Sequence, residues 1–113
     1  MTVGVVGPCG AGKSTLVAGL KEHGILGKHI AQEHSYVPYM WKRITNPDVL
    51  VYLAVSYPVS CNRRTLNWTE NEYAEQLTRL KHALEHADLI VDTNPLNEQE
   101  VLDKVLQFLS ADC

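Results

Sequence analysis

This sequence of 113 residues lacks a long apolar run and any closely spaced pair of cysteines. A membrane-spanning helix needs about 18 consecutive apolar residues, and no stretch of the sequence approaches that length. The first residues also lack the charged region and the cleavage site of a signal peptide. We therefore expect a cytoplasmic protein that has no membrane partner.

The chain also has little basic charge. Its net charge is −3 at pH 7, and a nucleic-acid surface would need a clustered excess of lysine and arginine. We therefore expect no nucleic-acid partner. The cysteines Cys9, Cys61 and Cys113 form no C-x-x-C pair and are odd in number, which favours reduced thiols. With 45% hydrophobic and 20% charged residues, the composition is that of a single globular domain over residues 1–113.

Four short apolar runs rich in β-branched residues predict strands at residues 2–6, 28–33, 49–55 and 88–93. The runs are nearly continuous rather than alternating, which is typical of strands covered on both faces. Helical patterns lie between them, and strands that alternate with helices indicate βαβ units. The predicted fold is therefore α/β, with three α/β/α layers around a parallel sheet of about four strands.

Apolar spacing and capping residues predict the helices. The first follows residue 12 and ends at Gly24. Weaker patterns cover residues 35–45 and 59–66. Residues 69–72, Thr-Glu-Asn-Glu, form a capping box that opens a long helix, and the final helix begins near Asn97. The inward face of the long helix is predicted to contain Tyr73, Leu77, Leu80, Leu84 and Ala87.

Residues 7–14 match the phosphate-binding pattern G-x-x-x-x-G-K-[ST], the P-loop. The pattern follows a predicted strand and opens a predicted helix, which is the context that phosphate binding requires. Its glycines let the backbone wrap a phosphate, while loop N–H groups and the helix N-terminus attract the anion. We expect ATP and Mg²⁺ to bind the residues Gly7, Pro8, Cys9, Gly10, Ala11, Gly12, Lys13, Ser14 and Thr15.

Each polar side chain of this loop has an expected role. Lys13 reaches the β- and γ-phosphates, the Ser14 hydroxyl ligates Mg²⁺, and Thr15 lies at the α-phosphate. A second metal ligand is expected at the end of a neighbouring strand, because ligands collect at that edge of open α/β sheets. Glu33 is the candidate and Asp92 a weaker rival. The alternative is that Glu33 is an ordinary glutamate at the end of a strand.

The chain resembles the P-loop kinases of the nucleotide- and shikimate-kinase type in three stretches. They are the phosphate loop at residues 7–15, the strand at 47–56 with the Pro58-Val59 turn and Arg63-Arg64 after it, and residues 87–93 with the helix at 98–109. Order and spacing agree over most of the chain. The resemblance implies a P-loop NTPase fold and transfer of the ATP γ-phosphoryl group to a small-molecule acceptor.

The resemblance also implies roles for individual residues. Arg63 and Arg64 would be lid arginines that offset charge on the transferred phosphoryl group, and the alternative is that both are solvated helix charges. Thr93, Asn94 and Pro95 would lie in the loop that packs against adenine. The sequence contains no N-K-x-D motif for reading guanine, so we expect ATP rather than GTP.

The chain departs from these kinases where they bind the acceptor. It is shorter between residues 24 and 46, and the segment that remains is rich in aromatic residues. Lys42 and Arg43 would meet an anionic acceptor while Tyr39 or Trp41 stacks on a ring. Alternatively, the aromatics are core residues or the interface of a homodimer, and the cations are solvated. The spacing of His82 and His86 suits a metal, but a solvated helix face is the favoured interpretation.

Two functions remain open on the sequence alone. The first is a phosphotransferase whose catalysis comes mostly from positioning and from charge neutralisation by Lys13, Mg²⁺ and a lid arginine. The second is an ATP-binding or slowly hydrolysing module that regulates a protein partner without transferring phosphate. The phosphate loop and Arg63-Arg64 favour the first, while the shortened acceptor region favours the second.

Overall fold

A computed structural model describes residues 2–64 and 68–111 of the chain. Strands and helices alternate from the N-terminus onward. The elements are β1 (Thr2–Val6), α1 (Lys13–Glu22), β2 (Leu26–His29), a 3₁₀ turn (Gln32–His34), α2 (Met40–Ile44), β3 (Val49–Ala54), α3 (Tyr57–Arg64), α4 (Glu70–His86), β4 (Leu89–Asp92) and α5 (Glu98–Ala111). None of the helices within these residues combines the length and the apolar character needed to cross a lipid bilayer.

The four strands form one parallel sheet in the order β2-β1-β3-β4. Val5 in the centre of β1 is in register with His29 on one side and with Val51 on the other. Parallel neighbours need a crossover connection, which the intervening helices supply. The predicted α/β class and the four-stranded parallel sheet are thereby confirmed. All four strands end at the same edge of the sheet, where α1 also begins.

Two apolar clusters cover the two faces of the sheet. On one face, β1, β3 and β4 pack against Leu16 and Leu20 of α1 and against α5, including Val105. On the other face, Leu50 and Tyr52 of β3 pack against α4 and against Trp41 of α2. Helices on both faces are compatible with three α/β/α layers.

The edge strands correct the expectation that all four strands are covered on both faces. The central strands β1 and β3 are almost wholly buried, but β2 is largely exposed along its length. In β4, Ile90 is 54% exposed although it pairs in register with the buried Tyr52. The helices are centred over β1 and β3, so a continuous apolar run in an edge strand does not receive complete cover.

Several element boundaries also differ from the prediction. Helix α3 begins at Tyr57 instead of residue 59, and residues 65–66 of that predicted helix lie outside the described residues. The second strand ends at His29, and Glu33 lies in the 3₁₀ turn that follows instead of at the end of the strand. The helix predicted over residues 35–45 is confined to Met40–Ile44. Pro38 explains the late start, because proline disfavours helical geometry at the residue before it and has no N–H to donate.

The long helix α4 begins as predicted but buries a different face. Thr69 and Glu72 form the reciprocal capping box. The buried positions are Gln76, Leu80 and Ala83, whereas Leu77 and Leu84 are 38% and 39% exposed. The predicted inward face is therefore wrong in part: a polar residue, Gln76, takes an inward position because its side chain bonds to the loop after β1.

Candidate functional site

The loop at residues 7–12 connects the end of β1 to the start of α1 and packs tightly against the sheet. A methyl group at Gly7 would collide with the carbonyl oxygen of Leu53 in β3. Gly10 has a φ of +85°, and a methyl group there would lie 2.9 Å from the Ser60 Cβ atom. Both positions therefore require glycine, one because the backbone of β3 approaches it and the other because its φ is positive.

Helix α1 begins at this loop without a capping side chain. Gly12 is its N-cap, and no side chain in the described part of the chain makes a capping hydrogen bond to it. The first N–H groups of a helix have no partner within the helix, and they carry the positive end of its dipole. Ser14 and Thr15 are exposed in this first turn. The N-terminal end of α1 is therefore a site at which an anion would be favoured.

Lys13 is buried at the centre of the loop. Its side chain is 5% exposed, and its Nζ atom donates to the carbonyl oxygens of Gly7 at 2.6 Å and Pro8 at 3.2 Å. The same atom lies 2.8 Å from Oε2 of Glu33, whose side chain is only 3% exposed. A buried ion pair that also makes hydrogen bonds compensates both charges for the loss of water. The ammonium group is therefore held inside the loop by three oxygen atoms.

Glu33 lies close to the loop, as expected for a metal ligand, but its carboxylate contacts Lys13. The backbone carbonyl of Glu33 accepts a hydrogen bond from Arg79 Nη1 at 3.3 Å. Its second carboxylate oxygen, Oε1, is buried and has no hydrogen-bond partner among the described residues. That oxygen retains its full capacity to accept a hydrogen bond or to ligate a cation. The magnesium role of Glu33 and Ser14 stays a prediction.

Arg63 reaches the loop from helix α3. Its Nη1 atom donates to Thr93 Oγ1 at 2.8 Å and to the Gly10 carbonyl oxygen at 3.4 Å. Its Nη2 atom donates to the carbonyl oxygen of Thr93. Thr93 is 1% exposed and donates its own hydroxyl to the Ala54 carbonyl oxygen. Arg63 thus bridges the loop and the ends of β3 and β4, whereas the side chain of Arg64 lies outside the described residues.

A cleft of about 740 Å³ opens beside the loop and the start of α1. Two of the predicted site cations, Lys13 and Arg63, line it. Opposite the loop, the lining comes from the start of α5 and the residues before it. These lining residues are Leu96, Asn97, Glu98, Gln99 and Val101.

The residues expected at adenine lie just before that wall. The lining of the cleft, as far as the described residues define it, does not include Asn94 or Pro95. The side-chain oxygen of Asn94 accepts a hydrogen bond from the Ser56 N–H at 3.0 Å, and Pro95 borders a second depression between β4 and α5. Their assignment to adenine stays a prediction, while the chain that follows them supplies the wall of the cleft.

His29 is a cleft residue that the sequence analysis missed. It ends β2, lines the cleft and is influenced by the charges of Lys13 and Glu33. Partial burial lowers the pKa of His29 below 6.5, and the Lys13 charge lowers it further, while Glu33 opposes both. The signal was its position at the carboxyl end of a strand that neighbours β1, where sites form in parallel sheets.

Gln76 is a second residue that the sequence analysis missed. It is 6% exposed on α4, and its Oε1 atom accepts a hydrogen bond from the Cys9 N–H at 3.0 Å. Its Nε2 atom lies 3.3 Å from the Cys9 sulfur. A glutamine on an otherwise apolar helix face gives no sequence signal for this contact, which joins residues 67 positions apart.

The aromatic segment, residues 34–43, does not contribute to the cleft as far as the described residues define it. Trp41 is 6% exposed in the core, and its Nε1 atom donates to His82 Nδ1 at 3.1 Å. Tyr36 is 85% exposed, and the Arg79 guanidinium lies 4.5 Å from the centre of its ring. Lys42 and Arg43 are exposed on α2, which agrees with the alternative that these cations are solvated.

The histidines of α4 form a stacked pair on the surface near α2. The rings of His82 and His86 are 4.3 Å apart, and His82 Nδ1 is occupied by the Trp41 indole. His86 Nδ1 is engaged with the His82 carbonyl group at 2.8 Å. Each ring therefore has one nitrogen in a contact within the protein. His82 accepts the hydrogen bond of the buried Trp41 indole, so it is more than a solvated surface residue.

Comparison with known proteins adds no relative to this description. No family model matches the chain, and no curated protein matches it. The function has to be inferred from the cleft, from the loop that holds Lys13, and from Arg63.

Proposed function

We propose that this chain has a P-loop NTPase fold, binds ATP with Mg²⁺ and acts as a small kinase-like phosphotransferase. The observation that carries the proposal is the convergence of Lys13, Arg63 and the uncapped start of α1 on one cleft of about 740 Å³. Two cations and a helix N-terminus form a strongly anion-attracting environment. A cleft of this size lies within the range of small-ligand sites.

The Lys13–Glu33 ion pair suggests how the site accepts a triphosphate. The lysine needs a negative partner because it is buried, and Glu33 provides one at 2.8 Å. The β- and γ-phosphates would take over that role and free the Glu33 carboxylate. Glu33 and the exposed Ser14 hydroxyl would then hold Mg²⁺, whose contribution would be to neutralise charge on the β- and γ-phosphate oxygens.

Transfer would proceed by in-line displacement. An acceptor oxygen forms a bond to the γ-phosphorus while the bond from that phosphorus to the β,γ-bridging oxygen breaks and ADP leaves. The acceptor's proton goes to solvent. Lys13 and Arg63 would stabilise the charge that spreads over the transferred group, a task for which the planar guanidinium is suited. Arg64 stays a second candidate for the same role.

A second function is an ATP-binding or slowly hydrolysing module that acts on a protein partner. The observation that favours it is that the exposed side chains of the aromatic segment, such as Tyr36 and Arg43, do not line the described cleft. An acceptor would then have to bind at residues that the resemblance does not identify. A homodimer formed through the exposed Tyr39 stays a separate prediction.

Label transfer distinguishes the two functions. The protein is incubated with γ-labelled ATP and Mg²⁺ in the presence of pooled nucleosides, nucleotides and small metabolites. A kinase-like enzyme places label on one of these acceptors. Label that appears only in free phosphate, together with retained ATP binding, would establish the module instead.

Lys13 tests the binding step that both functions share. We expect Lys13→Ala to weaken MgATP binding at least tenfold in a titration with a fluorescent ATP analogue. Lys42→Ala removes the same charge from the exposed surface of α2 and should leave the affinity unchanged. The proposal fails if Lys13→Ala is folded by circular dichroism and binds ATP as tightly as the parent.

A further inference from the structure

Three side chains of different chemistry meet at the loop of residues 7–12. Cys9 comes from the loop, and Glu33 and His34 come from the 3₁₀ turn after β2. The Cys9 sulfur lies 3.9 Å from His34 Nε2, which in turn lies 3.9 Å from Glu33 Oε2. One ligand atom from each of the three residues lies within 4.8 Å of the other two.

These distances are close to those around a metal ion. Bonds of about 2.3 Å from zinc to sulfur and about 2.0 Å to nitrogen or oxygen place tetrahedral ligands about 3.3–3.5 Å apart. Two of the three separations are 3.9 Å and exceed this by only a few tenths of an ångström, while the third, between Cys9 and Glu33, is within 4.8 Å. His34 is exposed, with 61% of its side chain accessible, so its ring has room to make that adjustment.

An independent observation at the same place also indicates a ligand. Oε1 of Glu33 is buried without a hydrogen-bond partner, although its carboxyl group is 3% exposed and is shared with the Lys13 ion pair. A buried acceptor without a partner costs about 1–3 kcal/mol, which a cation at that oxygen would offset. Because the carboxyl group has two oxygen atoms, one can stay with Lys13 while the other binds the cation.

The protein also supports the sulfur ligand from outside the cluster. Gln76 holds Cys9 through two contacts, from its Oε1 atom to the Cys9 N–H and from its Nε2 atom to the sulfur. Outer contacts of this kind orient the ligands of a metal site. A thiolate, a carboxylate and an imidazole form a ligand set that suits Zn²⁺ better than Mg²⁺.

We propose that Cys9, Glu33 and His34 bind Zn²⁺ with three protein ligands and one open position. Binding releases the thiol proton of Cys9 to solvent, because the thiolate is the ligand. Zinc at this site fixes the loop at Cys9 and occupies the Glu33 carboxylate. It therefore antagonises MgATP, a consequence that rests on the proposed function, whereas zinc binding itself does not.

The test uses Co²⁺ as a spectroscopic substitute for Zn²⁺ in the reduced chain of 113 residues. The Cys61→Ser/Cys113→Ser variant serves as the background, so that Cys9 is the remaining thiol. We expect a sulfur-to-cobalt charge-transfer band that saturates at one equivalent and is displaced by Zn²⁺. Cys9→Ala should abolish the band, and His34→Ala and Glu33→Gln should each weaken Zn²⁺ binding about tenfold or more.

The stacked histidines of α4 provide the matched control. His86→Ala removes an exposed histidine from the other candidate metal position and should leave both the band and the affinity unchanged. The zinc proposal is overturned if the band persists in Cys9→Ala, if His86→Ala removes binding, or if folded His34→Ala binds Zn²⁺ like the parent. Circular dichroism of each variant separates loss of the site from loss of the fold.

A second arm measures how zinc affects nucleotide binding. Saturating Zn²⁺ should raise the Kd for MgATP in the background protein and leave it unchanged in His34→Ala. Zinc binding with unchanged MgATP affinity would disprove the antagonism and retain the site. A protein that binds Zn²⁺ but no nucleotide at all would disprove the proposed function and leave the zinc site established.

Discussion

The loop at residues 7–12 and the aromatic segment are built in opposite ways. In the loop, Lys13 is buried, Gly7 and Gly10 leave no space for a side chain, and Arg63 and Gln76 hold the backbone from two other helices. In the aromatic segment, only Trp41 enters the core, while Tyr36 and Tyr39 are 85% and 47% exposed.

The two regions therefore differ in how firmly their side chains are held. A preorganised site needs side chains that are fixed by packing and by supporting hydrogen bonds. The loop meets that condition through contacts from α3 and α4, and the aromatic segment meets it at Trp41 alone. The described contacts therefore support the nucleotide-binding part of the proposed function more than the acceptor-binding part.

The largest expected effect breaks the ion pair at the centre of the loop. Lys13→Met leaves the Glu33 carboxylate buried without its partner, so we expect a loss of about 3–5 kcal/mol in the free energy of unfolding. Lys13→Met/Glu33→Met removes both charges and should recover most of that loss. Urea denaturation of the two variants and the parent measures both values. Equal stability of Lys13→Met and the parent would contradict the buried pair.

The next effect concerns the arginine on the other side of the cleft. If Arg63 stabilises the transferred phosphoryl group, Arg63→Ala should lower kcat for ATP turnover about 10²–10³-fold, or about 3–4 kcal/mol. The Kd for MgATP should change far less, because the contact strengthens in the transition state. Arg63→Lys keeps the charge but loses the fork, and should recover only part of the rate.

Release of ADP is a suitable measure of this turnover because it needs no identified acceptor. The same substitution at Arg64 tests which of the two neighbours acts on the phosphates. A loss of MgATP affinity in Arg63→Ala with kcat unchanged would assign Arg63 to ground-state binding. The unfolding free energy of each variant shows whether loss of the contacts with Thr93 alters the fold.

A third prediction sharpens the contrast within the aromatic segment itself. Trp41→Ala removes a buried indole together with its hydrogen bond to His82, and should cost about 3 kcal/mol of stability. Tyr36→Ala changes an 85% exposed side chain and should stay within about 0.5 kcal/mol of the parent. Thermal or urea unfolding checks both. Similar losses in the two variants would mean that the segment is built as one unit.

The smallest effect is the pH dependence that His29 contributes. Its folded pKa lies below 6.5 because of burial and the Lys13 charge. The unfolded chain therefore takes up the proton first, and stability falls as the pH decreases from about 6.5 through the folded pKa. His29→Gln should remove this part of the acid dependence in unfolding curves between pH 7.5 and 5. If the unfolding free energy of His29→Gln depends on pH in the same way as that of the parent, His29 does not contribute to the acid dependence.

The sequence alone was sufficient for the type and order of the elements and for contacts between residues close along the chain. Strand and helix alternation predicted the parallel sheet, and Thr69 with Glu72 predicted the start of α4. The spacing of Gly7, Gly12 and Lys13 located the loop. Each of these signals depends on the local backbone conformation, on a period of two or 3.6 residues, or on a cap, so a short window of sequence contains it.

The tertiary structure decided which distant side chains meet in the site. Lys13 pairs with Glu33 although Glu33 does not end a strand, Arg63 contacts Thr93 30 residues away, and Gln76 reaches Cys9 across 67 residues. The sequence supplied the residue types for these contacts but not the partners. Partners depend on the strand order, on where each strand stops and on the rotation of α4 about its axis.

The physical reason is that a small rotation or shift changes a side chain's neighbours without changing the local pattern. Turning α4 so that Gln76 rather than Leu77 faces inward keeps the helix intact but alters what supports the loop. Ending β2 at His29 places Glu33 and His34 in a turn, where they meet Cys9. The local sequence thus predicts where the loop lies, while packing across the whole sheet decides which residues contact it.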